Sequence, residues 1–161
     1  MKKRTRVALS EPAYLQRIGE IAYVASSIEW TILGDINRLK DRLPENFCLD
    51  KLESQTTGSI AKEVREAAKQ CQDREVRTYL EAMGEALSLM ASIRNNVLHA
   101  RPATRHSEGV EQQRLSRAEV GLERKLTGKR FWIDDAWFDD QVDQINHALD
   151  NINAVRPRFN D

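Results

Sequence analysis

The chain is short of cysteine, proline, glycine and aromatic side chains, and neither sign of charge is in excess over its 161 residues. Each shortage removes a class of protein. Two cysteines, Cys48 and Cys71, stand with 22 residues between them. That is too sparse for a disulfide framework or a four-thiolate zinc site, and it fits buried thiols in a reducing compartment. The seven glycines are scattered, and no glycine-rich phosphate loop of the dinucleotide or P-loop kind is present. The 25 Lys and Arg cancel the 25 Asp and Glu. No global field therefore draws the protein to nucleic acid or to an anionic membrane, and such binding has to come from a local patch. No run approaches the ~20 apolar residues of a membrane span. The N-terminus, Met1-Lys2-Lys3-Arg4-Thr5-Arg6, is basic, but only Val7, Ala8 and Leu9 follow before Ser10-Glu11-Pro12, too short an apolar region for a signal peptide. A cytoplasmic protein with no membrane partner is the expectation.

What is present suits one globular domain, with 40% apolar and 31% charged residues. Residues 1–10 read as a basic N-terminal arm and 11–157 as a single helical domain. Ser10 is a candidate helix cap, with Pro12 tolerated in the first turn. Tyr14, Ile18, Ile21, Ala25, Ile28, Ile32, Ile36 and Leu39 recur at steps of three and four, which predicts one long helix from about residue 11 to about residue 42. A second helix is expected from about 57 to 72, with Ile60, Val64, Ala67 and Cys71 turned inward. Asp73 suits the cap of a third, whose stripe is Val76, Leu80, Met83, Leu87, Met90 or Ala91, and Leu98. It ends near Ala100, because Pro102 disfavours helical geometry at Arg101. A fourth, capped by Asp134 or Asp135, carries Phe138, Val142, Ile145, Leu149 and Ile152 and closes at Pro157. Between 101 and 130 the apolar content falls, and residues 113–118 and 129–133 are a candidate hairpin turning near the run Lys125-Leu126-Thr127-Gly128-Lys129. The expected fold class is all-α: an up-down bundle of four main helices with a small irregular or β-hairpin insertion before the last.

The stretch Ser92–Pro102, SIRNNVLHARP, carries the chemistry. Arg94, Asn95 and His99 gather at the end of the third helix. Asn95 and His99 are four residues apart and share a face; Arg94 and His99 are five apart, about 140° around a straight helix. The long Arg side chain and a bend before Pro102 are expected to bring the imidazole toward the guanidinium. Histidine exchanges a proton near neutral pH. Arginine stays charged and offers a planar fork suited to phosphate oxygens, and asparagine orients either partner. This set fits phosphodiester cleavage without a metal. His99, His106 and His147 share no ligand spacing, so neither a metal nor another cofactor is expected.

The run Arg94-Asn95-Asn96-Val97-Leu98-His99 resembles the signature of the HEPN superfamily, small helical proteins that include RNA-cleaving toxins and defence nucleases. That signature is an Arg, often followed by a polar residue, with four to six residues between it and a His; here four stand between, the shortest spacing. The resemblance implies a helical bundle over about residues 11–155. It also implies a metal-independent ribonuclease that cleaves RNA by 2′-hydroxyl attack and leaves a 2′,3′-cyclic phosphate, with His99 as acid/base, Arg94 as phosphate stabiliser and Asn95 as orienting residue. It further implies a homodimer with two motifs facing one another, and a toxin–antitoxin or phage-defence role in which an antitoxin protein neutralises the enzyme. Some members of that superfamily are inactive and bind nucleotides or proteins, so the alternative is a non-catalytic helical interaction module.

Other residues extend the site. Glu29 lies beside the apolar stripe of the first helix and wants a partner; Arg94 is a candidate, as is exposure to water, and Asp35 and Asn37 invite weaker versions of the argument. Asn96 is a further candidate beside the motif. Residues 94–130 hold nine Lys or Arg against four Glu, whereas 131–150 hold six Asp and neither Lys nor Arg. Arg101, Arg105 and His106 are the candidate RNA contacts in that basic region, with a solvated loop as the other reading. Trp30, Trp132 and Trp137 are read as anchors of a core or subunit interface rather than as base-stacking platforms.

Overall fold

The computed structural model describes residues 6–47, 49–107, 109–121 and 125–159. Cys48, Glu108, Glu123, Arg124 and the first five residues of the basic arm lie outside the described residues. Four helices form where the apolar stripes fall: α1 Pro12–Arg38, α2 Thr57–Gln70, α3 Arg74–Leu98 and α4 Asp135–Ala154. After α1 the chain tightens into a 3-10 turn at Lys40–Arg42, while Leu39 of the stripe stays buried. Helix α3 packs against α1, α2 and α4, and its Leu80, Met83, Leu87 and Met90 share one core with Ile32, Ile36, Ile60, Val64 and Phe138. Leu98, placed in that stripe on spacing, is 66% exposed; the inner face passes instead through buried Ile93 and half-buried Val97.

The caps explain the helix starts. Asp73 accepts the N–H groups of Glu75 and Val76, Asp134 accepts that of Trp137, and Thr56 accepts that of Ser59, so each satisfies orphan donors. Helix α1 differs from expectation. Glu11 occupies its N-cap position without a side-chain bond, and the Ser10 hydroxyl lies 2.8 Å from the Gln113 carbonyl oxygen.

The fold is not all-α. A three-stranded antiparallel sheet in the order β1-β2-β3 stands between α3 and α4. Its strands are β1 Arg101–Ser107, β2 Val110–Val120 and β3 Leu126–Ile133. The expected pairing of 113–118 with 129–133 is part of it, in the register Leu115↔Ile133 to Ala118↔Arg130. Its turn lies earlier than placed, before β3, and Gly128 sits within the strand at φ +81°, beside a register shift between Ala118 and Val120 that a left-handed glycine accommodates. The physical reason the sheet exceeds a hairpin lies in β1 and β2. Burial in β1 alternates with period two, but the sheltered positions are Ala103, Arg105 and Ser107, and in β2 the most buried are Arg114 and Ser116. Apolar patterning cannot flag a strand whose covered face is polar.

The opposite face, with Leu115, Phe131 and Ile133, packs on the helical core. Tyr14 ties it down: its hydroxyl donates to the Ile133 carbonyl at 2.6 Å and accepts the Leu115 N–H at 2.9 Å. Leu115 thus turns its backbone polar groups toward β3. Pro102, its partner on edge strand β1, costs the ladder no bond there.

Candidate functional site

Arg94 lies one turn before the end of α3. Its Nη1 donates to Thr57 Oγ1 at 3.1 Å, and the Thr57 hydroxyl in turn donates to Glu29 Oε2. One hydroxyl serves both, since it has a single proton to give and lone pairs to receive. Thr57 is 5% exposed and holds the first position of α2, directly after the capping Thr56. Of the two fates open to Glu29 in the sequence, a pair with Arg94 or exposure to water, the structure shows a link to Arg94 made through Thr57, a relay across α1, α2 and α3. A negative end and a buried hydroxyl fix one edge of the guanidinium, and Arg94 itself remains exposed.

His99 is the C-cap of α3, with φ −101° and ψ 3°. Its N–H bonds to the Asn95 carbonyl at 3.0 Å, so the helix runs regularly up to it and the chain turns away only afterwards. The bend expected to swing the imidazole toward Arg94 therefore falls too late, and the two side chains leave α3 about 140° apart. Arg117 Nη1 donates to the His99 carbonyl at 3.1 Å, placing a cation on the negative end of the helix. The imidazole is exposed, and among the described residues no hydrogen bond or ion pair engages it, or the side chains of Asn95 and Asn96.

The strands continue the site from His99. Arg101 sits opposite Ser116, and Arg130 donates to Ser116 twice, Nε to Oγ at 2.9 Å and Nη2 to O at 2.8 Å. Trp132 faces Ser116 from β3. Among the described residues, no carboxylate pairs with Arg94, Arg101, Arg117 or Arg130. Arg105 is different: it pairs with Asp134 and packs over the Trp132 ring at 5.9 Å. His106 stands 3.6 Å from Glu111 and is exposed. Of the three candidate RNA contacts, Arg101 has no carboxylate partner among the described residues, whereas Arg105 is neutralised by Asp134.

Sequence reasoning missed Thr57, Arg117 and Arg130. The consecutive pair Thr56-Thr57 before α2 is a signal for the first, since only one of two hydroxyls can cap the helix. Nothing in the local pattern distinguishes the two arginines. Asp35 and Asn37 have separate fates. Asp35 is buried against Tyr79 and Arg156. Asn37 lines a cleft of about 410 Å³ with Trp30, Leu33, Gly34, Asp50 and Glu53. Among the described residues no three His, Cys, Asp or Glu side chains gather to hold a metal ion, and no helix is long and apolar enough to cross a membrane. No protein-family model matches the chain, and no curated protein or solved structure matches it.

Proposed function

We propose that the protein is a metal-independent endoribonuclease of HEPN type, working in the cytoplasm in a toxin–antitoxin or phage-defence role. The observation that supports this reading is the guanidinium of Arg94, held from behind by Thr57 and Glu29, on the same helix end as the exposed imidazole of His99, which no side chain among the described residues engages. A pre-positioned cation costs little to reorganise when charge develops on a phosphate. An exposed imidazole is free to exchange protons.

In the proposed reaction a ribose 2′-hydroxyl loses its proton to one imidazole and attacks the adjacent phosphorus. The 5′-oxygen leaves with a proton from a second imidazole, and the products carry a 2′,3′-cyclic phosphate and a 5′-hydroxyl. Arg94 stabilises the charge on the non-bridging oxygens, and Asn95 orients the phosphate. Because Arg94 and His99 diverge around α3, the reading calls for a homodimer in which Arg94 of one copy works with His99 of the other. Arg101, Arg117 and Arg130 bind the flanking phosphates. A toxin of this kind is held in check by a neutralising protein.

The test is digestion of RNA in EDTA. Cleavage is expected from the parent chain and absent from Arg94→Ala and His99→Ala variants that fold normally. An intact RNA under every condition refutes the enzyme. It favours a second reading, a non-catalytic helical interaction module that binds a nucleotide or a partner protein.

A further inference from the structure

The outer face of α1 reads the same in both directions. Gly19, Tyr23 and Ser26 are followed by Ser27, Trp30 and Gly34, with steps of four, three, one, three and four. All six lie on the side of α1 opposite its buried stripe and are exposed, Tyr23 by 76% and Trp30 by 69%. Of the ten exposed positions from Gly19 to Asn37, only Glu20 is charged, in a chain with 31% charged residues. Charge depletion with Tyr and Trp enrichment is the composition of an interface centre, not of a solvated helix face. The two glycines sharpen the point. A methyl group at Gly19 or Gly34 would meet no atom within 4 Å, so nothing inside the chain calls for these poor helix formers. At Gly84, by contrast, such a group would meet Arg65 Cγ at 2.5 Å.

We infer that this face is the contact between two copies of the chain, with the α1 helices antiparallel about a two-fold axis between Ser26 and Ser27. An isologous contact requires that residue i meet residue j and j meet i, and the pattern meets that condition. Tyr23 stands opposite Trp30 of the second copy, Gly19 opposite its Gly34, and the serines face each other at the centre. Side chains on a helix lean toward its N-terminus, so Tyr23 of the second copy leans from Trp30 toward Gly34. That direction leads into the cleft lined by Trp30, Leu33, Gly34, Asn37, Asp50 and Glu53, where a carboxylate can accept the phenol proton. The small residues let the backbones approach. Each aromatic ring buries about 150–250 Å², so the four rings alone supply about half of the 1,200–2,000 Å² of a standard interface. A two-fold of this kind lies perpendicular to the plane of the helix pair. It sets the two Glu29–Thr57–Arg94 relays on one side of the dimer. The inference stands on α1 alone and holds whether or not the chain cleaves RNA.

Light scattering and sedimentation of the full chain, with cysteine cross-linking, test it. The parent chain is expected to be a dimer at micromolar concentration, and Trp30→Ala to weaken it at least about thirtyfold, the loss typical of a buried aromatic anchor. Gly34→Glu, on an exposed helix position, is expected to give a monomer with unchanged helicity. Ser26→Cys in a Cys48→Ser background is expected to form a disulfide-linked dimer on mild oxidation, and Asn37→Cys, which faces Gln16, is not. A monomeric parent chain, a dimer indifferent to both Gly34→Glu and Trp30→Ala, or equal cross-linking at positions 26 and 37 overturns the inference.

Discussion

Thr57 is the residue on which the site's rigidity turns. Thr57→Val keeps the branched shape and removes the hydroxyl that joins Arg94 to Glu29. The expected cost is about 1.5 kcal/mol, the low end for a hydrogen bond to a charged group, because Glu29 and Arg94 keep access to water. For the proposed ribonuclease the effect is expected in kcat more than in KM, since a loosened Arg94 would still attract RNA but meet the transition state less well; a denaturation curve and steady-state kinetics check the two parts. Tyr79 gives a second residue-scale prediction. Burial, and then its bond to Asp35, push its hydroxyl well above the ordinary tyrosine range. The folded value exceeds the unfolded one, so this stabilisation is complete below the unfolded pKa of about 10 and is lost as pH climbs above it. The parent chain is expected to lose stability between about pH 9 and pH 11 more steeply than Tyr79→Phe; parallel urea midpoints across that window contradict the assignment.

At the scale of elements, Tyr14 joins α1 to the seam between β2 and β3. Tyr14→Phe strands the Leu115 N–H and the Ile133 carbonyl, at a cost of about 1–3 kcal/mol. Hydrogen exchange is expected to accelerate at the Leu115 amide before it does so in α3. The helices were legible because their signals are local: stripes such as Tyr14 to Leu39, and caps such as Asp73 and Asp134. The sheet was half legible. Its apolar positions Leu115, Phe131 and Ile133 belong to the segments expected to pair, but β1 shelters Ala103, Arg105 and Ser107, and its partner β2 buries Arg114, so the strand that extends the expected hairpin to a sheet carries no hydrophobic period. The motif Arg94–His99 was visible as spacing. Its support was not, because Thr57 reaches Arg94 from 37 residues away, with Glu29 behind it on a third helix, and side-chain convergence across elements leaves no periodic trace.

Over the whole molecule, equal numbers of opposite charges are unequally placed. Arg117 sits on the helix end that carries His99, and Arg101 and Arg130 follow on the other face of the sheet, both beside Ser116, while the acidic α4 has Asp135, Asp139, Asp140 and Asp143 along its first half. Local charge rather than net charge is therefore what an RNA strand would meet. Binding of single-stranded RNA is expected to weaken with salt, and Arg101→Ala and Arg130→Ala each to reduce the slope of log K against log salt by about 1. Arg105→Ala leaves that slope unchanged, because Asp134 already neutralises the side chain. A uniform effect of all three substitutions contradicts the distinction between free and paired arginines. The most direct measurement for the account as a whole is the chemistry of the cut end. An RNA with one cleavable site is incubated in EDTA with the parent chain, alongside a copy carrying a 2′-deoxyribose at that site, and the fragments are weighed by mass spectrometry. The account predicts a 2′,3′-cyclic phosphate from the first and no cleavage of the second. A 3′-hydroxyl product, or equal cutting of the deoxy copy, contradicts it.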